Sequence, residues 1–450
     1  MSLREETAAA NRDTPLTPVT RLVPAFRPES PVQLLRDTLE YATSPQNYLV
    51  RRLGQDVVKQ RSQLLSIPDE LIDGDNYGTG VHKQQFEQHI ATLLGMKHGL
   101  FFITGVQAQM AAMKIHCDKA GNNRVAWHYR SHLEIAEERG FAEVFRLQRT
   151  FVGRSPSAVP TVADVEAVTS LPAEERPAAV LLELPNRELG CKTFPYEDLV
   201  QISQLCKAAN VKLHMDGARL WEVEPFYLGK SFADIAALFD STYVSFYKGL
   251  GGTVGAMLTS SDEDFMRDAK TWQRRLGGNM VTSYPAVIDC ERGYNLNIGT
   301  FHLKWQKMCS VASAIMEATK EYRTKDGKPI VYFDPEVPTC CQIHTHIQGV
   351  TAKRLAAARD EVEEKYHISV FRSTQPWQNL DEMYVDWTLV KRGENLLEER
   401  QITQEEKPKE DPENDHHFFE WKIVNENLNI GDDVFAKGWE ALCQLITASR

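Results

Sequence analysis

An α/β fold with a mainly parallel sheet, joined to a smaller C-terminal α+β domain, is predicted by three features of this chain. Strand-like apolar runs alternate with helical stretches from about residue 96 to 300, an order that puts helices on both faces of a parallel sheet. From Ala286 the pattern changes to long helices and then to shorter strands. A length of 450 residues also exceeds what one core ordinarily holds, so two domains are expected.

Residues 1–30 carry four prolines and little apolar periodicity, and read as a tail or an arm over a neighbour. Residues 31–95 form a helical segment: Pro31 to Tyr41 and the stretch after Pro45 have helical spacing, and after an Asp75–Gly80 loop a helix from Lys83 to Leu94 carries Phe86, Ile90, Leu93 and Leu94 on one face. The large domain, 96–300, starts with a strand over Gly99–Ile103 feeding a helix from Gly105 to His116. A short strand follows at Arg124–Trp127 and a stronger one at Ala178–Leu184, then a helix from Tyr196 to Ala209. Two more strands, Val211–Met215 and Tyr243–Tyr247, complete the series. The small domain, 301–450, has strands near 330–333, 341–349 and 383–390 and closes on a helix from Asp433 to Thr447. The Glu- and Lys-rich stretch near 392–417 reads as an exposed charged insertion, with His416 and His417 in solvated loop.

A net charge of −11 argues against general affinity for nucleic acid or anionic membranes. No apolar run approaches the ~20 residues that span a bilayer, and the first residues lack a signal-peptide core, so a cytoplasmic address is expected. The eight cysteines are scattered without C-x-x-C spacing and read as core thiols in a reducing compartment. His344 and His346 share a strand face without a third ligand nearby, so no metal site is expected.

The chemistry sits where strands end. Asp216-Gly-Ala-Arg219 closes the Val211–Met215 run, and Lys248 closes Tyr243–Tyr247 ahead of Gly249-Leu-Gly-Gly-Thr-Val-Gly255. Ligands of such sheets gather at the carboxyl ends of the strands. Pyridoxal 5'-phosphate (PLP) chemistry needs a lysine amine to bond the cofactor aldehyde and a carboxylate to keep the pyridine nitrogen protonated. It gains from an Arg that grips an amino-acid carboxylate. Thr104-Gly-Val-Gln107, between a strand and a helix N-terminus, offers backbone N–H groups suited to a phosphate. Singly, each feature also has a plainer reading: a helix cap, a surface Arg, a lysine reaching solvent. A nicotinamide fingerprint is the poorer match, because Val254–Thr259 continues as a strand where that turn should open a helix.

At these residues the chain resembles the L-threonine aldolase and β-eliminating lyase family of fold-type-I PLP enzymes. His214-Met-Asp-Gly-Ala-Arg-Leu220 is similar to the family's H-x-D-G-A-R-[LI], and Lys248-Gly-Leu-Gly251 to its S-K-G-L-G, with Tyr247 in place of Ser. Gly74–Gly78, Phe102–Ala108, Ser131–Gly140 and Arg275–Met280 resemble further segments. The likeness runs over about residues 72 to 300. It implies a fold-type-I transferase-like large domain with Lys248 holding the cofactor and Asp216 on its ring nitrogen. By the same likeness His132 stacks on the ring face, Gly105 and Val106 take the phosphate, and Arg219 takes the carboxylate of an amino acid substrate. A homodimer or homotetramer is implied as well.

Departures fall on the substrate side. Pro185-Asn-Arg-Glu188 stands where the family has E-N-T and a histidine, so Arg187 and Glu188 replace the usual Thr and His; Val281 replaces an Arg. A second carboxylate-binding Arg has only Arg372 as a candidate. Aldol-type Cα–Cβ cleavage of a β-hydroxy amino acid to glycine and an aldehyde is the first expectation. A β-eliminating lyase using Arg187 or Glu188 differently is the alternative, and a PLP-fold protein with little turnover the third.

Overall fold

The computed structural model describes residues 18–23, 30–68, 72–377 and 415–448. The expected strand at 383–390 and most of the 392–417 stretch lie outside the described residues, as do residues 1–17.

Thirteen strands are described, and all are named here in chain order. After the two-residue β1 (Thr20–Arg21) come β2 (His98–Phe102), β3 (Arg124–Trp127), β4 (Gln148–Phe151), β5 (Ala179–Glu183), β6 (Lys212–Gly217), β7 (Ser241–Ser245) and β8 (Ala256–Ser260). The seven from β2 to β8 make one sheet in the order β2-β8-β7-β6-β5-β3-β4. The run β7-β6-β5-β3-β4 is parallel throughout, while β8 lies antiparallel to both β7 and β2. The glycine-rich residues after Lys248 therefore form the β7–β8 connection of a hairpin, as the sequence suggests.

Every residue of β5, β7 and β8 is buried, as a sheet covered on both faces requires. Alternate side chains serve opposite cores. Val180, Leu182, Leu213, Met215 and Val244 join one cluster with Leu199 and Ile202 of the helix Tyr196–Ala208 and Phe86 and Ile90 of the helix Val81–Leu93. Ala179, Leu181, Tyr243 and Leu258 join the other with Met110 and Met113 of the helix Gly105–Ala120 and Phe265 and Ala269 of Glu263–Arg275. At about 1.5–3 kcal/mol for each buried Val, Leu or Phe, these two layers fix the sheet and hence its carboxyl edge.

The second sheet is antiparallel, with the strands β9 (Val331–Asp334), β10 (Gln342–Gln348), β12 (Gln375–Pro376) and β13 (His416–Lys422) in the order β12-β13-β10-β9. The helices Phe301–Thr319, Ala352–Tyr366 and Asp432–Ala448 belong to this half. The short β11 (Ile368–Ser369) pairs in parallel with β1, and the Asn427 side-chain amide donates to the Leu22 carbonyl at 3.1 Å. Residues 20–22 are thus tied to the C-terminal half.

His416 and His417 are not in solvated loop. They open β13, where alternate residues face the core and His417 is buried, its Nε2 2.8 Å from the Val350 carbonyl oxygen. His346 on β10 stacks on Tyr332, and among the described residues no group of three His, Cys, Asp or Glu side chains is placed to hold a metal. Cys340 and Cys341 precede β10, both buried, and all eight cysteines are free. No helix among the described residues is long and apolar enough to cross a membrane.

Candidate active site

Lys248 lies three residues past β7, on the turn that leads into β8. The turn is held by Gly251 N–H donating to the Lys248 carbonyl (3.2 Å), Gly252 N–H to the Phe246 carbonyl (2.8 Å) and Gly249 N–H to Glu222 Oε1 (2.9 Å). A Cβ on Gly249 would come within 2.4 Å of that same oxygen, so the approach needs glycine. The Lys248 ammonium sits 4.9 Å from the Tyr247 ring centroid. Burial, then the Arg219 and Arg187 charges, lower its pKa to about 8. An amine so tuned is neutral often enough to attack an aldehyde.

Asp216 is 1% exposed, and its Oδ1 accepts the Ala218 N–H at 3.0 Å. Burial raises its pKa, against the opposing pull of His132, Ala218, Gln109 and Arg219. Among the described residues no cation stands within 4 Å of it. Its register partner across the parallel pair is Glu183, the last residue of β5. Glu183 accepts the His132 N–H on Oε2 (3.2 Å) and the Arg187 N–H on Oε1 (3.1 Å). Burial, then the Asp216 charge, raises the Glu183 pKa.

His132 begins a short helix after β3 and places Nε2 2.7 Å from Glu137 Oε1. The Glu137 hydrogen bond raises its pKa against burial, with further help from Asp216 and Glu183. In the neutral tautomer that donates to Glu137, Nδ1 carries the free lone pair.

Gly105 opens the helix that follows β2, with Thr104 as its cap. The Gly105 N–H donates to the Tyr247 hydroxyl at 3.3 Å, and Tyr247 and Tyr243 hydroxyls lie 3.4 Å apart. A Cβ on Gly105 would fall 2.0 Å from the Tyr243 hydroxyl oxygen. Gly105 and Val106 N–H groups, at a helix start, have no carbonyl of their own helix to reach.

Arg219, 8% exposed, has no carboxylate within 4 Å among the described residues; its Nε donates to Gln342 Oε1 at 3.3 Å. Arg219, Glu222, Lys248 and Gly249 line one cleft together with Gln342, Glu420, Trp421 and Lys422 of the second sheet and Val23. Arg187 and Glu188 are committed to ion pairs. Arg187 Nε meets Glu420 Oε2 at 2.6 Å and its Nη1 meets Glu188 Oε1 at 2.8 Å, while Arg130 Nη2 lies 3.5 Å from Glu188 Oε2. Arg372 is exposed, its carbonyl taken by Arg359, and it is not among the residues lining this cleft.

A family model for beta-eliminating lyases matches residues 70–327, more than half of the chain. The chain belongs to that family. Its relatives include an aldolase of Penicillium aethiopicum, vrtJ, 30% identical over 233 residues that cover 50% of this chain and 57% of that protein. The low specificity L-threonine aldolase of Escherichia coli K12 is 27% identical over 50% of this chain and 66% of its own length. The chain thus spans less than two thirds of either relative. A solved structure of a candidate L-allo-threonine aldolase from Listeria monocytogenes superposes with a TM-score of 0.71 at 27% identity, covering 96% of both chains. Serine palmitoyltransferase of Sphingomonas wittichii, at 13% identity and a TM-score of 0.56, shares the fold.

The protein is a PLP-dependent lyase of fold type I. The site suits the cofactor. A buried Asp216 without a cation calls for one, and a protonated pyridine nitrogen supplies it. Tyr247 already places a hydroxyl oxygen at the helix start, where a phosphate oxygen is also favoured. The sequence reading passes over Glu183, Glu222, Gln342 and Glu420. Only Glu183 carries a local signal, an acid closing an otherwise apolar strand.

Proposed function

We propose that this lyase cleaves β-hydroxy amino acids between Cα and Cβ, giving glycine and an aldehyde. The arrangement that supports the reading is a lowered-pKa Lys248 and a buried Arg219 with no carboxylate partner among the described residues on one cleft, with Asp216 at the neighbouring strand end. In this reading Lys248 holds the cofactor, Asp216 faces its ring nitrogen, and Gly105 and Val106 hold its phosphate. When bound, PLP supplies the electron sink that lets a bond to the substrate Cα break. Arg219 grips the substrate carboxylate, which fixes the amino acid's orientation. His132, with Nε2–H given to Glu137, covers the ring face and takes the β-hydroxyl proton on Nδ1.

Glu188 favours a second reading. It stands near the expected aldolase histidine but is engaged by Arg130 and Arg187, which suits a polar substituent on Cβ and elimination to pyruvate and ammonia. The test is to incubate the PLP-loaded protein with threonine, allo-threonine and β-substituted alanines. Glycine plus aldehyde supports cleavage, pyruvate plus ammonia supports elimination, and silence on every β-hydroxy amino acid rejects the first reading. We further infer a homodimer or homotetramer acting in the cytoplasm, in keeping with eight free thiols; light scattering reads the oligomer.

A further inference from the structure

We propose that Gln342 is the second group that binds the substrate carboxylate, completing a clamp with Arg219. This deepens the lyase reading above and rests on it. The expected partner, Arg372, is exposed and absent from the cleft lining. Gln342 opens β10, is 3% exposed, and lines the cleft beside Arg219 and Lys248. Its Oε1 accepts from Arg219 Nε at 3.3 Å, which fixes both side chains. Its Nε2 is buried and finds no acceptor among the described residues.

An unspent buried amide donor is costly, and natural cores rarely keep one without a use. Here the cost has a use if a ligand oxygen arrives. Guanidinium Nε–H is held by the amide oxygen, leaving the guanidinium Nη groups and the amide N–H₂ as neighbouring donors. Two acceptor oxygens of one carboxylate match that set, one on a cationic donor and one on a neutral one. Lys422, register partner of Gln342 on β13, is the competing cation in the same lining.

The experiment titrates glycine, and separately methylamine, into the PLP-loaded protein while following the cofactor absorbance. Methylamine offers the amine without the carboxylate. Gln342→Met is expected to weaken glycine about tenfold and leave methylamine unchanged, the size of one hydrogen bond to a charged acceptor. Gln342→Glu is expected to weaken glycine further, since its charge neutralises Arg219 and repels the ligand. Gln342→Asn, which withdraws the amide by one methylene, replaces the methionine variant if that protein fails to hold cofactor. Wild-type glycine affinity in the Met and Asn variants, equal weakening for methylamine, or a glycine loss seen only in Lys422→Met overturns the clamp. If the wild type gives no response to glycine while borohydride still fixes PLP on Lys248, the amino acid reading itself fails and the clamp falls with it.

Discussion

Glu183 and Asp216 are register partners on neighbouring parallel strands, 6% and 1% exposed, so two carboxylates end side by side at the floor of the site. Burial penalises both charges, and each penalises the other. Their duties divide by their contacts: Glu183 spends its oxygens on the backbone of His132 and Arg187, while Asp216 remains open to a cation.

Replacing Glu183 with Gln leaves one acceptor oxygen for two N–H donors. Either His132 or the Arg187 turn then loses its anchor, at about 1.5–3 kcal/mol for a charged hydrogen bond. We expect kcat to fall at least about tenfold while PLP stays bound by absorbance. A kcat within twofold of wild type would refute the anchoring role.

Lys248→Ala is expected to lose at least about a hundredfold in activity and to escape borohydride labelling, which peptide mapping reads directly. In the wild-type protein freed of cofactor, the amine pKa near 8 has a second consequence. The nucleophile is the neutral form, so PLP capture should accelerate as pH rises through about 8. A flat capture rate from pH 6.5 to 9 would count against this.

His132 titrates above its ordinary 6.5 because Glu137 accepts its proton. A base must be neutral, so kcat/KM should rise with pH through this raised value, and Glu137→Gln should move the limb downward. The sign for stability is opposite. The pair's contribution is full below about 6.5 and fades as pH climbs through the raised pKa; being partly solvated it is worth no more than about 1 kcal/mol. A pH limb unmoved by Glu137→Gln would remove His132 from the proton's path.

Gly105→Ala drives a methyl against the Tyr243 hydroxyl, 2.0 Å from the new carbon. Overpacking of this kind costs about 1–3 kcal/mol, and it displaces the helix start itself. Thermal unfolding and PLP titration should both show the loss; unchanged PLP affinity would argue against a phosphate at this turn.

Arg187→Met removes half-exposed ion pairs to Glu420 and Glu188, so stability should change by less than about 1 kcal/mol. The preference among β-substituents should change far more, read as a ratio of kcat/KM values. Equal ratios in both proteins would take Arg187 out of substrate selection.

The α/β fold and the PLP chemistry are legible in the sequence because their signals are local. Ala178–Leu182 is an unbroken apolar run, and a strand buried on both faces needs one. Asp216 and Lys248 each follow a strand-like run, and their neighbours complete a recognisable motif. Glu183 shows its role only once β6 is known to lie beside β5. Gln342 and Glu420 come from the second sheet, and no local pattern says which cleft they will face. In β13, acids just upstream suggest solvent, yet His417, Phe419 and Trp421 alternate with His416, Phe418 and Glu420 at the strand period. That alternation is short and begins in a charged stretch, so composition outweighs it.

The cleft is stitched from two sources. Lys248, Arg219 and Glu222 come from the stretch shared with the family, whereas Val23, Gln342, Glu420, Trp421 and Lys422 lie beyond its limits of 70 and 327. Cutting the chain back to residues 70–327 would keep Lys248, Arg219 and Glu222 and remove the opposite wall of their cleft.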